Sequence, residues 1–175
     1  MKVNLYTNNW IKYDLHNSLI ELFQRFFCLL LFFGSCHAIE PKVKVGVDNL
    51  FVTENIALLK GKRVGLITNH TAICGKMNST IDLLRKNQDV YGYKITAFFA
   101  PEHGLEGALH AGEHVEDITL GGIPVYSLHG KTRRPTEKML KNIDVLIYDI
   151  QDIGSRSYTY LTILLYAMRS LPNII

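Results

Sequence analysis

Three apolar runs at residues 63–69, 94–100 and 144–150 restrict the fold of this chain more than any other feature of its sequence. RVGLITN, KITAFFA and DVLIYDI are almost continuously apolar, which is typical of strands that are buried on both faces. Segments with helical patterns lie between and after them. Strands that alternate with helices predict an α/β domain of Rossmann-like type, with a mostly parallel sheet and helices on both of its faces.

The helix signals are local and specific. In STIDLLRK, at 79–86, Ser79 occupies the cap position and Asp82 follows three residues later, a variant of the capping box. TENIALLKGK predicts a short helix between Thr53, as its cap, and Gly61. The other elements that the pattern predicts are a helix at 135–141 capped by Thr136, a helix at 158–170, a strand at 123–128 and a strand through Val43, Val45 and Val47.

The helix predicted at 158–170 is the most apolar of these. Its leucines and methionine follow the i, i+3, i+4, i+7 spacing, which predicts a stripe that faces the core. The stripe consists of Leu161, Leu164, Leu165 and Met168. We therefore expect this helix to pack on the sheet through those side chains.

The N-terminal region, residues 1–38, resembles a secretory signal. Arg25 precedes an apolar stretch at 26–33, which is too short to cross a bilayer as a helix of ~20 residues. Such a stretch is typical of the apolar core of a signal peptide, with cleavage expected after Ala38. We expect export to the periplasm, either as a free protein or anchored by a lipid on Cys36; a buried or interfacial helix is the alternative.

Residues 39–175 are then expected to form one domain. They contain a single cysteine, Cys74, so no disulfide framework is available and the core must hold the fold. The composition, 47% hydrophobic and 20% charged, favours a packed core over disorder. A net charge of +3 without a long basic run gives no support for nucleic-acid binding.

Polar residues collect where the predicted strands end. Open α/β sheets bind ligands outside the carboxyl ends of their strands, and parallel strands bring those ends to one edge. The residues placed there are Asn69 and His70, Glu102 and His103, and Asp149, Gln151, Asp152 and Arg156. No G-x-G-x-x-G follows the first strand, so we expect neither a dinucleotide nor any other cofactor.

Each of these residues also has a purely structural interpretation. Glu102 lies in a PEHG turn, where it acts as a general acid or base or only solvates the loop. Asp149 and Asp152 act in catalysis, or they cap the following helix or pair with Arg156. Tyr158 and Tyr160 contact a sugar ring or pack at the start of the helix.

HAGEH, at 110–114, matches the H-x-x-E-H signature of inverted zinc proteases. That chemistry needs both histidines on one face of a helix. Gly112 lies inside the motif, and each glycine costs a helix about 1 kcal/mol. No apolar helical periodicity surrounds the motif, so we expect no metal site.

Several segments together resemble one family. KGKRVGLITNHTA, FFAPEHGLEG, GIPVYSLHGKTRRPTEKML and DVLIYDIQDIGSRSYTYL are similar to the NamZ-like exo-β-N-acetylmuramidase family over residues 45–170. The resemblance implies an exo-acting glycosidase that removes N-acetylmuramic acid from the non-reducing ends of peptidoglycan fragments, so muramyl saccharides are its expected partners. It also implies a Rossmann-like N-terminal domain and a second, C-terminal domain. The sequence stops at RSLPNII, so we expect a truncated catalytic domain without that second domain; an inactive exported fragment that still binds sugar is the alternative.

The resemblance also suggests site residues. Positions that match the family pattern are Asn69, Glu102, His103, Gly104, Glu113, Asp149, Gln151, Asp152, Gly154, Arg156, Tyr158 and Tyr160. Glycoside hydrolysis usually employs two carboxyl groups. We expect Glu102 to be the acid/base, held by His103 or by loop amides, and leave the second carboxyl open among Asp149, Asp152 and Glu113. Arg156 is the candidate for the lactyl carboxylate of the sugar.

Overall fold

In a computed structural model of the chain, residues 18–27 and 44–171 are described. The chain divides into two compact units, Met1–Lys42 and Val43–Ile175. Residues 18–27 form a helix, α1, whose side chains are exposed. The expected cleavage site at Ala38, the lipid candidate Cys36 and residues 28–33 of the expected signal lie outside the described residues. Within the two described ranges, no helix is both long enough and apolar enough to span a membrane.

The second unit is an α/β sheet with four parallel strands. Its strands are β1 (Arg63–Thr68), β2 (Lys94–Ala100), β3 (Ile118–Leu120), β4 (Ile123–Ser127) and β5 (Val145–Asp149). Its helices are α2 (Gly46–Leu50), α3 (Thr53–Ile56), α4 (Thr80–Tyr91), α5 (Glu137–Leu140) and α6 (Tyr160–Ser170), with a 3₁₀ turn at Ala57–Leu59. The strand order is β3-β4-β2-β1-β5, and only β3 runs antiparallel to its neighbour. The predicted mostly parallel sheet is confirmed.

Alternate side chains of the central strands pack into two hydrophobic cores, one on each face of the sheet. Leu66 and Phe98 pack with Leu84 of α4 on one face. Ile67 and Phe99 pack with helices α5 and α6 on the other. All of these strand side chains are fully buried, which explains why both strands read as continuous apolar runs. The helices therefore cover both faces, as predicted.

At the amino edge of the sheet, an ion pair joins Arg63 of β1 to Asp144, the residue before β5. The Arg63 guanidinium donates to both carboxylate oxygens of Asp144, at 2.7 and 3.0 Å, and the Arg63 backbone N–H donates to the same group at 2.8 Å. These hydrogen bonds hold the pKa of Asp144 well below its usual range. Their main consequence is geometric, since they help to fix β5 beside β1 and so align the opposite, carboxyl edge.

The predicted core stripe of α6 is wrong. The buried residues of this helix are Tyr160, Ile163 and Ala167. Leu161, Leu165 and Met168 are between 48% and 59% exposed, and Leu164 is only partly buried. The helix carries apolar residues around much of its circumference, so the 3.6-residue period fits more than one stripe. The face with the small Ala167 packs on the sheet, where a helix backbone can approach closely.

Of the other elements predicted from the sequence pattern, some are confirmed and others are wrong. Ser79 caps α4, since its hydroxyl accepts from the Asp82 backbone N–H at 3.3 Å. Thr136 caps α5 in the same way through Met139. The strand predicted through Val45 and Val47 is wrong, because Gly46–Leu50 is the helix α2 with Val45 before it; Val43 lies outside the described residues. Thr53 begins α3 rather than capping it. A three-residue alternation is too short to exclude a helix whose Val47 points into the core.

Candidate functional site

The loops after β1, β2 and β5 meet at the carboxyl edge of the sheet, because those strands are parallel neighbours. Hydrogen bonds join them directly. The Thr80 hydroxyl, at the start of α4, donates to Asp149 at 2.6 Å, and the Gln151 backbone N–H donates to the Thr71 hydroxyl at 3.1 Å. The segments that the sequence placed at one edge therefore do lie together.

Glu102 is the most elaborately held carboxylate of this edge. One oxygen accepts from the Gly112 backbone N–H at 3.1 Å and lies 3.8 Å from Nε2 of His129. The other accepts from the Thr159 hydroxyl at 2.9 Å. The Glu102 side chain is only 16% exposed. A nearly buried carboxyl group with three polar neighbours is suited to chemistry rather than to solvating a turn.

The charge state of Glu102 follows from these contacts. Burial raises its pKa, but the Gly112 N–H, the Thr159 hydroxyl and His129 oppose burial, and the net effect lowers the pKa below its ordinary value of 4.5. Thr159 is also the N-cap residue of α6, whose positive end favours a nearby anion. The Thr159 hydroxyl makes no cap hydrogen bond of its own and is available to Glu102. The carboxylate is therefore ionised at neutral pH.

His129 was missed in the sequence, although it follows β4 just as Glu102 follows β2. The residue is 7% exposed, and its backbone N–H donates to the Ser127 hydroxyl at 3.1 Å. Burial lowers the pKa of His129 and Glu102 raises it, with a net lowering, so the imidazole is neutral at pH 7. Its Nδ1 is buried and has no hydrogen-bond partner in the part of the chain that the structure describes. The rule that found Glu102 would also have found His129.

His103 serves the loop more than it serves Glu102. Its Nδ1 lies 2.8 Å from the Leu109 carbonyl oxygen, and its backbone carbonyl accepts from the Leu109 N–H. The residue has a φ of +71°, a conformation that is uncommon outside glycine and often marks functional loops. The loop group that holds Glu102 is the Gly112 N–H, so of the two supports expected from the sequence the structure shows the loop amide.

Asn69 and Tyr160 lie together under the site. Asn69 is 2% exposed, and its Oδ1 accepts from the backbone N–H and the hydroxyl of Thr71, at 3.0 and 2.6 Å. Burial raises the pKa of Tyr160, and hydrogen bonding with the Asn69 side chain partly offsets this effect. Among the described residues, Nδ2 of Asn69 is buried and makes no hydrogen bond of 3.5 Å or shorter.

The three candidates for a second carboxyl group each have a local structural role. Asp149 accepts from the Thr80 hydroxyl, and Asp152 accepts from the Gly154 N–H at 2.6 Å. Glu113 accepts from the His110 N–H at 3.0 Å. Asp152 and Glu113 are exposed and Asp149 is partly buried. The three therefore remain alternatives.

The remaining candidates, Gln151, Arg156 and Tyr158, are exposed in the loop before α6. Within the described ranges Arg156 makes no ion pair with Asp149 or Asp152. Its guanidinium is therefore not committed to the pairing that was its structural alternative.

Residues 110–114 form a turn and not a helix. The Glu113 N–H donates to the His110 carbonyl at 3.1 Å, and Gly112 has a φ of +81°. The helical face that an H-x-x-E-H zinc site requires is thus missing from this segment. Across the described residues, no cluster of three His, Cys, Asp or Glu side chains is arranged to hold a metal ion. The turn instead aims the Gly112 N–H at Glu102.

A cleft of about 690 Å³ opens beside these residues. Asn69 and His103 lie on its wall, together with apolar residues of the loop after β2, of α4 and of the sheet. The apolar members are Ile81, Ala100, Leu105, Ala108, Leu109, Val115, Ile118, Leu120 and Val125. A concave, mostly apolar cleft with a few convergent polar groups is the usual form of a small-molecule site.

Replacing Thr159 by Val should raise the pKa of Glu102, because it removes one donor to the ionised carboxylate. The depressed pKa stabilises the fold above the ordinary pKa of the group, and this contribution is lost as pH falls through the lowered value. Thr159→Val should shrink this acid-dependent part of the stability. A ¹³C NMR titration of labelled glutamate carboxyls measures the shift. Thr162→Val, on an exposed position of α6, is the control, and an equal shift in both variants would contradict the assignment.

The fold and the site together define a class: an α/β domain that gathers a buried carboxylate and an apolar cleft at the carboxyl edge of a parallel sheet. The profile of the family described as "Exo-beta-N-acetylmuramidase NamZ, N-terminal" matches residues 64–173. The chain therefore belongs to the NamZ exo-β-N-acetylmuramidase family, within its N-terminal part, and the resemblance seen in the sequence is confirmed.

Known relatives agree with this assignment. The peptidoglycan beta-N-acetylmuramidase NamZ of Bacillus subtilis (strain 168) is 46% identical over 135 residues, which make up 75% of this chain and 31% of that protein. Two solved DUF1343 family proteins from Bacteroides fragilis NCTC 9343 are 48% and 31% identical, with TM-scores of 0.61 and 0.54. Each is matched over 71% of this chain and 30% of its own length. The chain thus spans about a third of the length of these relatives.

Proposed function

We propose that this chain carries the catalytic site of an exo-acting glycoside hydrolase that removes N-acetylmuramic acid from the non-reducing ends of peptidoglycan fragments. The observation that carries the proposal is Glu102, an ionised carboxylate held by an amide and a hydroxyl beside a neutral His129 and next to an apolar cleft. The 46% identity to a peptidoglycan beta-N-acetylmuramidase supplies the substrate class.

The charge of Glu102 favours one of the two carboxyl roles in glycoside hydrolysis, that of base or nucleophile. A general acid needs a raised pKa, whereas a base or nucleophile needs an ionised group. Because the pKa of Glu102 is lowered, we assign it the attack on the sugar or the activation of water. The proton for the leaving oxygen then comes from Asp149, Asp152 or Glu113. Nε2 of His129 lies 3.8 Å from the Glu102 carboxylate. If the imidazole took up a proton, its positive charge would stabilise the ionised form of Glu102.

Release of N-acetylmuramic acid from a MurNAc–GlcNAc disaccharide tests the proposal. The full chain is assayed beside a hybrid in which residues 64–171 replace the matching part of Bacillus subtilis NamZ. Release by the chain, or by the hybrid alone, supports the proposal, and the second result would show that the site needs the rest of such a protein. A folded hybrid that releases no sugar would contradict it.

A second candidate function is binding without turnover. The observation that favours it is that no second carboxyl group stands out at this edge, since Asp149, Asp152 and Glu113 each have a local structural partner. Such a chain would retain sugar or peptidoglycan binding through the same cleft. It would bind muramyl fragments with unchanged affinity after Glu102→Gln, and neither the chain nor the hybrid would release sugar.

Arg156→Lys should weaken the binding of muramyl substrates by about tenfold or more, because we propose that Arg156 binds the lactyl carboxylate. A guanidinium pairs with a carboxylate through two parallel hydrogen bonds, which a lysine ammonium cannot reproduce. KM is measured for a muramyl substrate and for the matching N-acetylglucosaminyl analogue, which lacks the lactyl group. An equal loss on both substrates would remove this role from Arg156.

We also propose that the chain is exported. Arg25, the apolar stretch at 26–33 and the small residues around Cys36 and Ala38 support this, and the compact unit that carries the site begins at Val43, shortly after the expected cleavage point. Intact mass of the protein recovered from a Gram-negative host should show an N-terminus at Ile39, or a lipid on Cys36. A protein that keeps Met1 in the cytoplasm would contradict export.

A further inference from the structure

The outer face of α6, formed by Leu161, Leu165 and Met168, is apolar and exposed in the described part of the chain. These three side chains are 59%, 48% and 48% exposed. Their i, i+4, i+7 spacing places them on one side of the helix, while Ile163 and Ala167 pack in the core on the sheet. Isolated exposed apolar residues are ordinary, but adjacent ones that form a patch mark an interaction surface.

The other long helix of the same domain shows how a solvated helix face of this chain is built. The exposed residues of α4 are Asp82, Lys86, Asp89 and Val90, so its outer side is mostly charged. On α6 the proportion is reversed, since Arg169 is the one charged residue between Tyr160 and Ser170. A helix with apolar residues around most of its circumference is typical of a helix that is covered on more than one side.

The lengths of the known relatives indicate what covers this face. The family model that matches residues 64–173 describes the N-terminal part of such proteins, so their chains continue beyond the position of α6. The matched part makes up only 31% of the Bacillus subtilis protein and 30% of each solved Bacteroides fragilis protein. Because α6 is the last element of the matched region, the polypeptide that follows it in those proteins starts beside this helix.

We propose that the outer face of α6 is the docking surface for the polypeptide that follows the matched region in NamZ-type proteins. That polypeptide packs its own apolar side chains against Leu161, Leu165 and Met168. The surface belongs to the helix that begins beside the site, since the Thr159 hydroxyl just before its first turn donates to Glu102. Docking therefore also holds α6 against the loop after β2.

Methionine methyl signals test the proposal with an internal control. Met168 lies on the outer face, and Met77, which is 75% exposed, lies before α4. The full chain and the hybrid with residues 64–171 in Bacillus subtilis NamZ are labelled on their methionine methyl groups, and a soluble paramagnetic agent is added. Both signals should be attenuated in the chain. In the hybrid the attenuation of Met168 should fall by about fivefold, because an interface core is packed as densely as an interior, and that of Met77 should not.

Each other outcome of this measurement decides against the proposal. Equal attenuation of Met168 in the chain and in the hybrid would leave the outer face uncovered. A hybrid that does not fold would show that the two parts do not fit each other. A full chain that is a dimer by light scattering, with Met168 already protected, would assign the face to a second copy of this chain.

Leu165→Lys places an ammonium group on the outer face and gives a second readout. The unfolding temperature of the full chain should stay within about two degrees, because the position is half-exposed there. In the hybrid it should fall by several degrees, because the charge is then buried against an apolar surface. Val90→Lys on the exposed side of α4 is the matched control and should leave both proteins unchanged. The same small effect of both variants in the hybrid would overturn the docking surface.

Neither measurement uses sugar release, so the failure of this proposal is distinguishable from the failure of the proposed function. Protection of Met168 in a folded hybrid that releases no sugar would keep the docking surface and refute the hydrolase. Release of sugar by a hybrid in which Met168 stays exposed would keep the hydrolase and refute the docking surface.

Discussion

Replacing Glu102 by Gln should lower the release of N-acetylmuramic acid by about 10²- to 10⁴-fold, the range typical of losing a positioned acid or base. The variant keeps the shape of the side chain and an oxygen that can accept from the Gly112 N–H. The Thr159 hydroxyl can accept from the new amide as readily as it donates to the carboxylate. The fold should therefore persist while the ionisable group is lost.

The measurement is the initial rate of sugar release by whichever protein, chain or hybrid, shows activity. Glu54→Gln is the matched control, since the same chemical change then falls on an exposed residue of α3 that does not line the cleft. We expect the control to keep full activity and both variants to keep the unfolding temperature within a few degrees. Loss of less than tenfold in Glu102→Gln would assign the central carboxylate to another residue.

The sheet and the edge that carries the candidate site could be predicted from the sequence, because burial on both faces leaves a continuous apolar run. β2 was predicted with its full bounds, Lys94–Ala100, for this reason. The order of the strands was not needed to find Glu102. A parallel arrangement alone places the residue that follows each strand at one common edge.

The partners of Glu102 could not be predicted in the same way. Thr159 lies 57 residues from Glu102 in the sequence, and its role depends on how closely α6 approaches the loop after β2. The Gly112 N–H is backbone, which leaves no sequence signal beyond the glycine itself. His129 is different, because its position after β4 carries the same sequence signal as the position of Glu102 after β2.

The sequence pattern predicted the wrong buried face for α6. A pair of variants on this helix tests which face is buried. Ile163 is 2% exposed and packs in the core of the second sheet face, whereas Leu161 is 59% exposed. Ile163→Ala should lower the free energy of unfolding by about 2–5 kcal/mol, because it removes buried methyl groups and leaves a cavity. Leu161→Ala should change it by no more than about 0.5 kcal/mol.

Chemical denaturation of both variants and of the unaltered chain gives the two differences directly. The residues are two positions apart on one helix, so differences in helix propensity cancel to within a few tenths of a kcal/mol. A larger loss in Leu161→Ala than in Ile163→Ala would restore the stripe that the spacing predicted. If that stripe faced the core, α6 would be turned about its axis. The Thr159 hydroxyl at its start would then no longer donate to Glu102, as the catalytic proposal requires. The stability of one helix face thus bears on the chemistry of the site that its first residues complete.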